Sequence, residues 1–364
     1  LRHNTRLLQQ QAGRVPLMGV VKADAYGHGV VEVTWALRAE GMQHFAVAAV
    51  PEAIVLREAG IEEPILVLGA PLPHHLAAYA QYRLEVTIAS RSVAEAVIES
   101  AWRGEALRVH LKIDTGMHRL GVPPDEAADV ARALHAAPGV TLAGVWTHFA
   151  TAEQADDPFA TEQLACFRAT LATMADVLDA YPDVRLHAAG SGALWSFQDS
   201  YVLSRPALAR PGIALYGLAG DPDMAARVGL RPVMRLLSRV THLQTVEAGA
   251  TVSYGRTWQA SRPSRIATLG VGYADGYPRR LSNRGEVGIG GRRYPIAGLI
   301  CMDMLMVDLG LPDGPGADVR IGDEAVLFGE GGPSLFEVAA WAGTIPYEIC
   351  CGISARVPRW YASG

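Results

Sequence analysis

The sequence predicts an α/β protein in which a (β/α)8 barrel of the TIM type is followed by a second, mostly β domain. From Val15 to about Gly217, short apolar runs alternate with runs that have apolar residues at three- and four-residue spacing. Eight such pairs within about 200 residues is the number that a (β/α)8 barrel needs. After Gly220 the pattern changes to short β-rich runs separated by Gly, Pro and Asp. We therefore place a barrel domain at residues 1–224 and a β domain at residues 225–364.

The eight predicted barrel strands are apolar runs near 17–21, 44–49, 65–68, 85–88, 108–113, 141–146, 185–188 and 207–210. The helical runs between them have acidic starts and end at Gly or Pro. They read VVEVTWALRAEG, PEAIVLREAG, SVAEAVIESAWRG, DEAADVARALHAAPG and ATEQLACFRATLATMADVLDAY. The seventh connection, from Gly192 to Asp199, has the least helical pattern. A doubly wound open sheet is the alternative fold, although open sheets less often run to eight regular repeats.

The second domain is predicted to consist of short strands with one late helix. The strand-like runs read VMRLLSRVTHLQTVE, RIATLGVGYA, EVGIGGRRYPIAG, MLMVDLG and DEAVLFG. The helix is predicted at SLFEVAAWAG. The polar, Pro-bearing segment DPDMAARVGLRP connects the two domains.

Composition excludes several classes of function. Half of the 364 residues are hydrophobic, which is enough for a large core. A net charge of −5 without a basic cluster argues against a nucleic-acid partner. No apolar run reaches the length of a membrane span, and the polar N-terminal stretch lacks an apolar signal core. Because the four cysteines also lack metal-binding spacing, we expect a cytoplasmic protein with reduced cysteines and no metal.

A lysine stands at the end of the first predicted strand. Met18 to Val21 reads as a short buried run that ends at Lys22, and the polar, Gly-rich string ADAYGHG follows. A Schiff-base enzyme needs this arrangement, because nearby apolar surface lowers the pKa of the amine and the adjoining loop can hold a ligand. The alternative is a surface lysine at a strand exit.

Other polar residues also follow predicted strand ends, where barrel enzymes place their chemistry. They are Lys112 and Asp114 after the fifth strand, His148 after the sixth, Ser191 after the seventh, and Arg210 and Gly212 after the eighth. The Ser191 hydroxyl and the backbone N–H groups near Gly212 and Ile213 suit a phosphate, although Ser191 could also be a helix N-cap.

Three of the polar side chains in the barrel domain each have a functional and a structural interpretation. Arg210 could donate to a pyridine nitrogen or form an ion pair at the rim. His148 could orient Arg210 or be a hydrogen-bonded core histidine. Arg119 could bind a substrate carboxylate or be a solvated loop arginine.

The string VVKADAYGHG resembles the lysine motif of the alanine racemases, in which the lysine carries pyridoxal 5'-phosphate (PLP) and the tyrosine four residues on contacts its phosphate. More motifs of that family follow in its order. In the barrel they are LKIDTGMHRLG with Lys112 and Arg119, WTHFA with His148, GSGAL with Ser191, and RPGIALYG with Arg210. In the second domain they are TVSYGRTW with Tyr254, the entrance segment VGYADGYPRRLSN, and GLICMDM with Cys301, Met302 and Asp303.

The resemblance implies an isomerase that interconverts L-alanine and D-alanine through an external aldimine with PLP. Lys22 and Tyr254 would be the bases on opposite faces of the substrate, with Tyr254 supplied by the partner in a homodimer that shares its active sites. The resemblance assigns cofactor binding to Lys22, Tyr26, His148, Ser191, Arg210, Gly212 and Ile213. It assigns substrate binding to Arg119 and Met302, and supporting roles to Cys301, Asp303 and Lys112, which is often carbamylated in the family. A role of D-alanine in the cell wall and a catabolic role both remain open.

Three positions depart from the family pattern. Trp146 stands where many members have Tyr, Gly190 where many have Asn, and Ala355 where several have a Tyr that lines the substrate pocket. Ala355 leaves a broader, serine-tolerant racemase as the alternative. A related barrel PLP decarboxylase is a rival, but no Cys-bearing decarboxylase signature is found. A non-catalytic PLP-binding protein is another, and it would resemble the barrel alone.

Overall fold

The computed structural model describes residues 1–102, 106–154 and 157–362. Contacts divide the chain into two compact units. The barrel unit comprises Leu1–Ala25 and Gly29–Arg231, and the β unit comprises Tyr26–His28 and Pro232–Gly364. Each unit has its own sheet and its own apolar core.

The barrel unit contains a parallel sheet whose seven strands pair in chain order. These strands are β1 Met18–Val20, β2 His44–Val47, β3 Ile65–Val67, β4 Glu85–Ile88, β5 Leu107–Lys112, β6 Val140–Trp146 and β7 Arg185–His187. They are short and almost entirely buried, as expected for parallel strands that are covered on both faces. The first seven predicted strands are confirmed to within two residues.

The backbone between Pro206 and Pro211 closes this sheet into a barrel. Leu186 N–H of β7 donates to Pro206 O at 2.8 Å, and Val20 N–H of β1 donates to Pro211 O at 2.9 Å. The flanking prolines have no N–H, so this segment pairs through isolated bridges rather than as a continuous strand. The strand predicted at 207–210 is therefore present in this reduced form, and its pairing on both sides excludes the open sheet.

Helices alternate with these strands. They are α1 Arg2–Ala12, α2 Lys22–Gly27, α3 Val30–Ala39, α4 Val50–Glu58, α5 Leu76–Gln81, α6 Arg91–Trp102, α7 Ala127–Ala136, α8 Phe159–Thr173, α9 Ala175–Asp179, α10 Ala193–Ser196 and α11 Pro222–Arg227. The predicted helices are confirmed, and the long pattern before the seventh strand divides into α8 and α9. Two residues of the SVAEAVIESAWRG pattern, Arg103 and Gly104, lie outside the described residues. Helix α1 is not predicted from the sequence.

The β unit contains a six-stranded antiparallel sheet in the order β13-β12-β15-β8-β11-β14 and the short pair β9 and β10. The strands are β8 Leu236–Val246, β9 Thr251–Val252, β10 Trp258–Gln259, β11 Ser264–Leu269, β12 Glu286–Ile289, β13 Arg292–Pro295, β14 Leu305–Asp308 and β15 Glu324–Phe328. The predicted helix is α12 Leu335–Ala342, which begins with a reciprocal capping box between Ser334 and Glu337. A second helix, α13 Pro346–Gly352, is not predicted. Within the described ranges, no helix is both long and apolar enough to cross a bilayer.

Candidate active site

The chain makes a left-handed turn immediately after β1. Lys22 begins α2, and residues 23–27 all have positive φ angles, between 52° and 79°. Such a turn costs about 1–2 kcal/mol per L-residue, so surrounding contacts must hold it. Asp24 supplies two of them, since its carboxylate accepts from Val30 N–H at 2.7 Å and its carbonyl accepts from Gly29 N–H at 3.0 Å. The predicted cofactor lysine thus stands at the start of a strained but well-anchored turn.

The barrel unit brings several predicted site residues together at the carboxyl ends of its strands. Lys112 ends β5, His148 lies two residues beyond β6, and Arg210 belongs to the closing segment. Burial is the largest cause of a lowered pKa at His148, and nearby cations add to it. Those cations are Arg210, Arg119, Lys112 and Lys22. The charges of Lys22, Lys112, Arg119 and Arg210 are therefore close enough to His148 to lower its pKa.

The guanidinium of Arg210 is buried and is held by five hydrogen bonds. Nη1 donates to His187 O at 2.6 Å and to His187 Nδ1 at 2.9 Å. Nη2 donates to Thr147 O at 2.8 Å, to Ala188 O at 3.0 Å and to His148 Nδ1 at 3.4 Å. Burial lowers the pKa of Arg210 to about 9, which still leaves it protonated near neutral pH. Arg210 is thus a rigidly held cation. Its Nε–H is the donor that these five bonds do not use.

A chain of buried hydrogen bonds continues from Arg210 to Glu85. His187 Nε2 lies 2.9 Å from His110 Nδ1, and His110 Nε2 lies 2.9 Å from Glu85 Oε2. Because a guanidinium can only donate, His187 Nδ1 must accept, and each imidazole then donates from Nε2. Burial raises the pKa of Glu85, but His110 and the Arg108 guanidinium outweigh it and lower this pKa to about 2. The Glu85 carboxylate therefore fixes the tautomers of both histidines.

His148 is a neutral imidazole in this environment. Burial, followed by the nearby cations, lowers its pKa to about 3. Since Nδ1 accepts from Arg210, the single ring proton lies on Nε2. The amide of Gln163, which is 1 % exposed, steadies this loop by donating to His148 O at 3.2 Å and accepting from Ala150 N–H at 2.9 Å. His148 can therefore present Nε2–H as a directed donor.

The Ser191 hydroxyl contacts the backbone that follows Arg210. Ser191 Oγ accepts from Gly212 N–H at 2.9 Å and from Ala214 N–H at 3.3 Å, so its own proton remains available to donate. Ile213 opens a 3-10 helix, and the first N–H groups of a helix have no partner inside it. Ser191 does not cap α10, whose N-cap is Gly192. A hydroxyl beside backbone N–H groups is a suitable donor set for a phosphate.

Two cationic side chains lie close to the Trp146 ring. Lys112 Nζ is 4.8 Å and Arg210 Cζ is 4.9 Å from the centre of the indole ring, both within cation–π range. The ring also stacks parallel to His187, with centroids 5.7 Å apart. Lys112 is 1 % exposed, and burial, followed by Arg210, lowers its pKa to about 8. The indole therefore offsets part of the repulsion between two buried like charges.

The loop after β5 carries Arg119. Asp114 organises this loop, because its Oδ1 accepts from Gly116 N–H at 3.1 Å and from His118 N–H at 3.0 Å. Arg119 is exposed, and its charge contributes to the lowered pKa of Lys112. Among the described residues, Lys112 and Asp114 form no ion pair with each other. The lysine is therefore not neutralised by the nearest acidic residue of its own motif.

In the β unit, Tyr254 lies beside the loop that contains Cys301 and Met302. Tyr254 is 73 % exposed and Met302 is 53 % exposed. Ser253, the residue before Tyr254, donates to Leu299 O at 2.6 Å, and its Oγ lies 3.5 Å from Cys301 Sγ. The two predicted site segments of this unit are therefore neighbours, and both present exposed side chains.

Arg356 links Asp303 to Asp275 of the entrance segment through ion pairs. Arg356 donates to both oxygens of Asp275 at 2.6 and 3.0 Å and to Asp303 at 2.8 Å. Backbone pairing supports the same contact, because Tyr273 N–H donates to Cys301 O at 3.0 Å. Asp303 thus has a structural role in its own loop.

Tyr26 belongs to the β unit, where its ring centre lies 6.3 Å from that of Tyr347. The next residue, Gly27, accepts two hydrogen bonds from Arg359, at 3.2 and 3.1 Å. The same guanidinium donates to the carbonyls of Ile353, Ser354 and Val357. Ala355 lies within this C-terminal segment, whose carbonyls accept hydrogen bonds from Arg359.

The whole chain contains only two lysines, Lys22 and Lys112. The remaining 30 of its 32 basic residues are arginines. Any lysine adduct can therefore form at these two side chains alone, and both belong to the barrel rim.

Three buried residues of the site are not predicted from the sequence: His110, His187 and Glu85. His110 lies two residues before Lys112, so the alternation of a strand places both side chains on the same face of β5. The signal for Glu85 was a charged residue that opens an apolar run. The partnership of these residues was not visible, because it joins three different strands.

Comparisons with known proteins agree over nearly the full chain. The models of the alanine racemase N-terminal and C-terminal domains match residues 1–220 and 233–361. The alanine racemases of Chlorobaculum tepidum and Deinococcus radiodurans are each 43 % identical over 99 % of the chain, which covers 92 % and 95 % of their lengths.

Solved structures give the same result. An alanine racemase from Clostridium difficile has 36 % identity and a TM-score of 0.88, with 98 % of this chain and 92 % of that chain covered. One from Streptomyces lavendulae has 35 % identity and a TM-score of 0.90, with 100 % and 94 % covered. With both domains matched and relatives at 43 % identity spanning almost every residue, the chain belongs to the alanine racemase family.

Proposed function

We propose that this protein is a PLP-dependent racemase that interconverts L-alanine and D-alanine. The observation that carries the proposal is the rim of the barrel unit, where one of only two lysines lies close to a buried arginine and a neutral histidine, in a unit that also holds a serine whose hydroxyl proton is available. This donor set suits PLP, which needs an amine for its aldehyde, donors for its phosphate and a partner for its ring nitrogen. The family relatives at 43 % identity support the same activity.

Each of these residues would bind a different chemical group of the cofactor. Lys22 would bind the aldehyde carbon through Nζ. The Ser191 hydroxyl, the Ile213 N–H and the Tyr26 hydroxyl would bind the phosphate. Gly212 N–H would join them by exchanging its bond to Ser191 Oγ for one to the phosphate. Arg210, whose Nη atoms are fixed by buried hydrogen bonds, would donate from Nε to the ring nitrogen. Because a guanidinium is a much weaker acid than a pyridinium, Arg210 would not protonate the ring fully. When bound, PLP supplies an electron sink that acidifies the Cα–H bond of an amino acid.

Inversion at Cα requires one proton-transferring group on each face. We assign one face to Lys22 Nζ, which would hold the cofactor in the resting enzyme and would move the proton on that face during turnover. We assign the other face to the hydroxyl of Tyr254 from the partner subunit of a homodimer. A free tyrosine has a pKa near 10, and a hydrogen bond from His148 Nε2–H would favour its phenolate.

The substrate carboxylate would be bound by Arg119 and by Met302 of the partner subunit. Arg119 is exposed and therefore available. Lys112 would support Arg119 best as a carbamate, which carries the negative charge that an ammonium lacks. Its lowered pKa supports this assignment, because only the neutral amine reacts with CO2 and about a tenth of a group with a pKa near 8 is neutral at pH 7.

Ala355 supports a serine-tolerant racemase as the second candidate. The side chain at this position is exposed and small. An apolar pocket rejects an added hydroxyl only about 10²-fold, and a wider, wetter pocket should reject it less.

The decisive experiment measures optical rotation of L-alanine with the PLP-loaded protein and with Lys22→Ala. We expect racemisation by the wild type and none by the variant. Borohydride reduction followed by peptide mass analysis should find the cofactor on Lys22, and the Lys112 peptide is the internal control. A decarboxylase would release CO2, and a storage protein would bind PLP without changing the rotation. Cofactor trapped on Lys112 would refute the assignment of Lys22.

A mixing experiment tests the shared site. Lys22→Ala and Tyr254→Phe should each be inactive alone, yet subunit exchange should restore one complete site in each mixed dimer. Proven exchange without recovered activity would place both bases in one chain.

A further inference from the structure

The carboxylate of Glu52 connects the lysine turn to the neighbouring βα loop. Its Oε1 accepts from Ala23 N–H, the residue after Lys22, at 2.6 Å. Its Oε2 accepts from Ala48 N–H at 2.7 Å and from Ala49 N–H at 3.1 Å, at the start of α4. One half-buried side chain thus receives three backbone donors from two loops of the same rim.

These hydrogen bonds supply the outside contacts that a strained turn needs to keep its conformation. Ala23, Ala25 and Tyr26 have φ angles of 53° to 54°, a conformation that no side chain of theirs favours. A strained turn persists only where its surroundings over-determine it. Asp24 anchors the far end of the turn through Val30, and Glu52 anchors the end that carries the lysine.

We propose that Glu52 is a positioning residue for Lys22. By holding Ala23 N–H against the rigid start of α4, it determines where the lysine amine stands at the barrel rim. This inference rests on the proposed function of Lys22. Glu52 touches neither substrate nor cofactor in this role, and it acts only through the backbone.

The test compares Glu52→Ala and Glu52→Gln with Glu58→Gln, an exposed position on the same helix, as the matched control. With the PLP-loaded enzyme we expect Glu52→Ala to lower kcat for alanine by about 10- to 100-fold, the loss that a displacement of about 1 Å produces. KM should change little, because the substrate-binding residues lie elsewhere. Glu52→Gln keeps one neutral acceptor and should be intermediate.

A second readout needs no cofactor. With only two lysines in the chain, acylation of the apoprotein by sulfo-N-hydroxysuccinimide acetate reports on Lys22 directly, and Lys112, 1 % exposed, is the internal reference. We expect Glu52→Ala to speed acylation of Lys22 several-fold relative to Lys112. Amide exchange should also become faster in peptides that contain Ala23 and Ala48, since local opening sets the exchange rate.

The outcomes separate this inference from the proposed function. A wild type without racemase activity would overturn the proposed function, while the acylation and exchange rates would still decide the role of Glu52. If Glu52→Ala does not fold, Glu52→Gln is judged by the same rates. If Lys22 acylation and kcat both match those of Glu58→Gln, Glu52 does not position the lysine.

Discussion

Replacing Glu85 with glutamine should destabilise the barrel unit in a pH-dependent way. Glu85 is 4 % exposed, and its pKa lies at about 2 instead of 4.5 despite burial, because His110 and Arg108 stabilise the anion. This shift corresponds to about 3 kcal/mol. The Arg108 side chain is 59 % exposed, so its share is reduced by solvent, and we expect about 2 kcal/mol in total.

The sign of the pH dependence follows from the direction of the shift. Since the pKa of Glu85 is lower in the folded state, its contribution is complete above about pH 4.5 and is lost as the pH falls towards 2. Glu85→Gln should therefore unfold about 4–8 °C below the wild type at pH 7. That difference should shrink steadily between pH 4.5 and pH 3.

Thermal and urea unfolding, followed by circular dichroism, measure this difference. Glu95→Gln, an exposed position on α6, is the matched control and should behave as the wild type at every pH. The glutamine oxygen can still accept from His110 Nε2, so Glu85→Gln should keep most of its racemase activity. Glu85→Leu removes the acceptor and should lower activity as well. A stability loss that is equal at pH 7 and pH 3 would refute a role for the Glu85 charge.

Three further predictions follow from the other site contacts. Labelled bicarbonate should give a carbamate signal in ¹³C NMR of the wild type but not of Lys112→Arg, and a signal that persists in the variant would count against carbamylation. Ala355→Tyr should narrow the preference for alanine over serine and tighten PLP binding by about 1 kcal/mol, as expected for one added hydrogen bond; an unchanged alanine-to-serine ratio would mean that Ala355 does not line the pocket. Arg359→Lys cannot supply all the bonds that the guanidinium gives to Gly27 and the C-terminal carbonyls. It should therefore speed amide exchange in residues 353–357, and exchange at the wild-type rate would assign that order to other contacts.

The barrel could be predicted strand by strand, because its strands are buried on both faces and so appear as separate apolar runs. Val20 and Val21 before Lys22 illustrate this pattern. The eighth strand was located correctly, but the prolines at 206 and 211 limit its hydrogen bonds. Helix α13 was missed although Pro346 stands at its first position, which is a known start signal.

The site shows more clearly which features the sequence patterns cannot predict. The motif residues at the rim could be located because each follows a strand end, whereas the chain from Arg210 to Glu85 depends on which strands are neighbours in the closed barrel. The handedness of the turn after Lys22 was even less accessible. The string ADAY contains no glycine, and local preferences would favour a right-handed turn. Its left-handed form is held by contacts such as the acceptor from Glu52, which is 29 residues away from Ala23. The geometry of the lysine is therefore decided by tertiary contacts and not by the motif that identifies it.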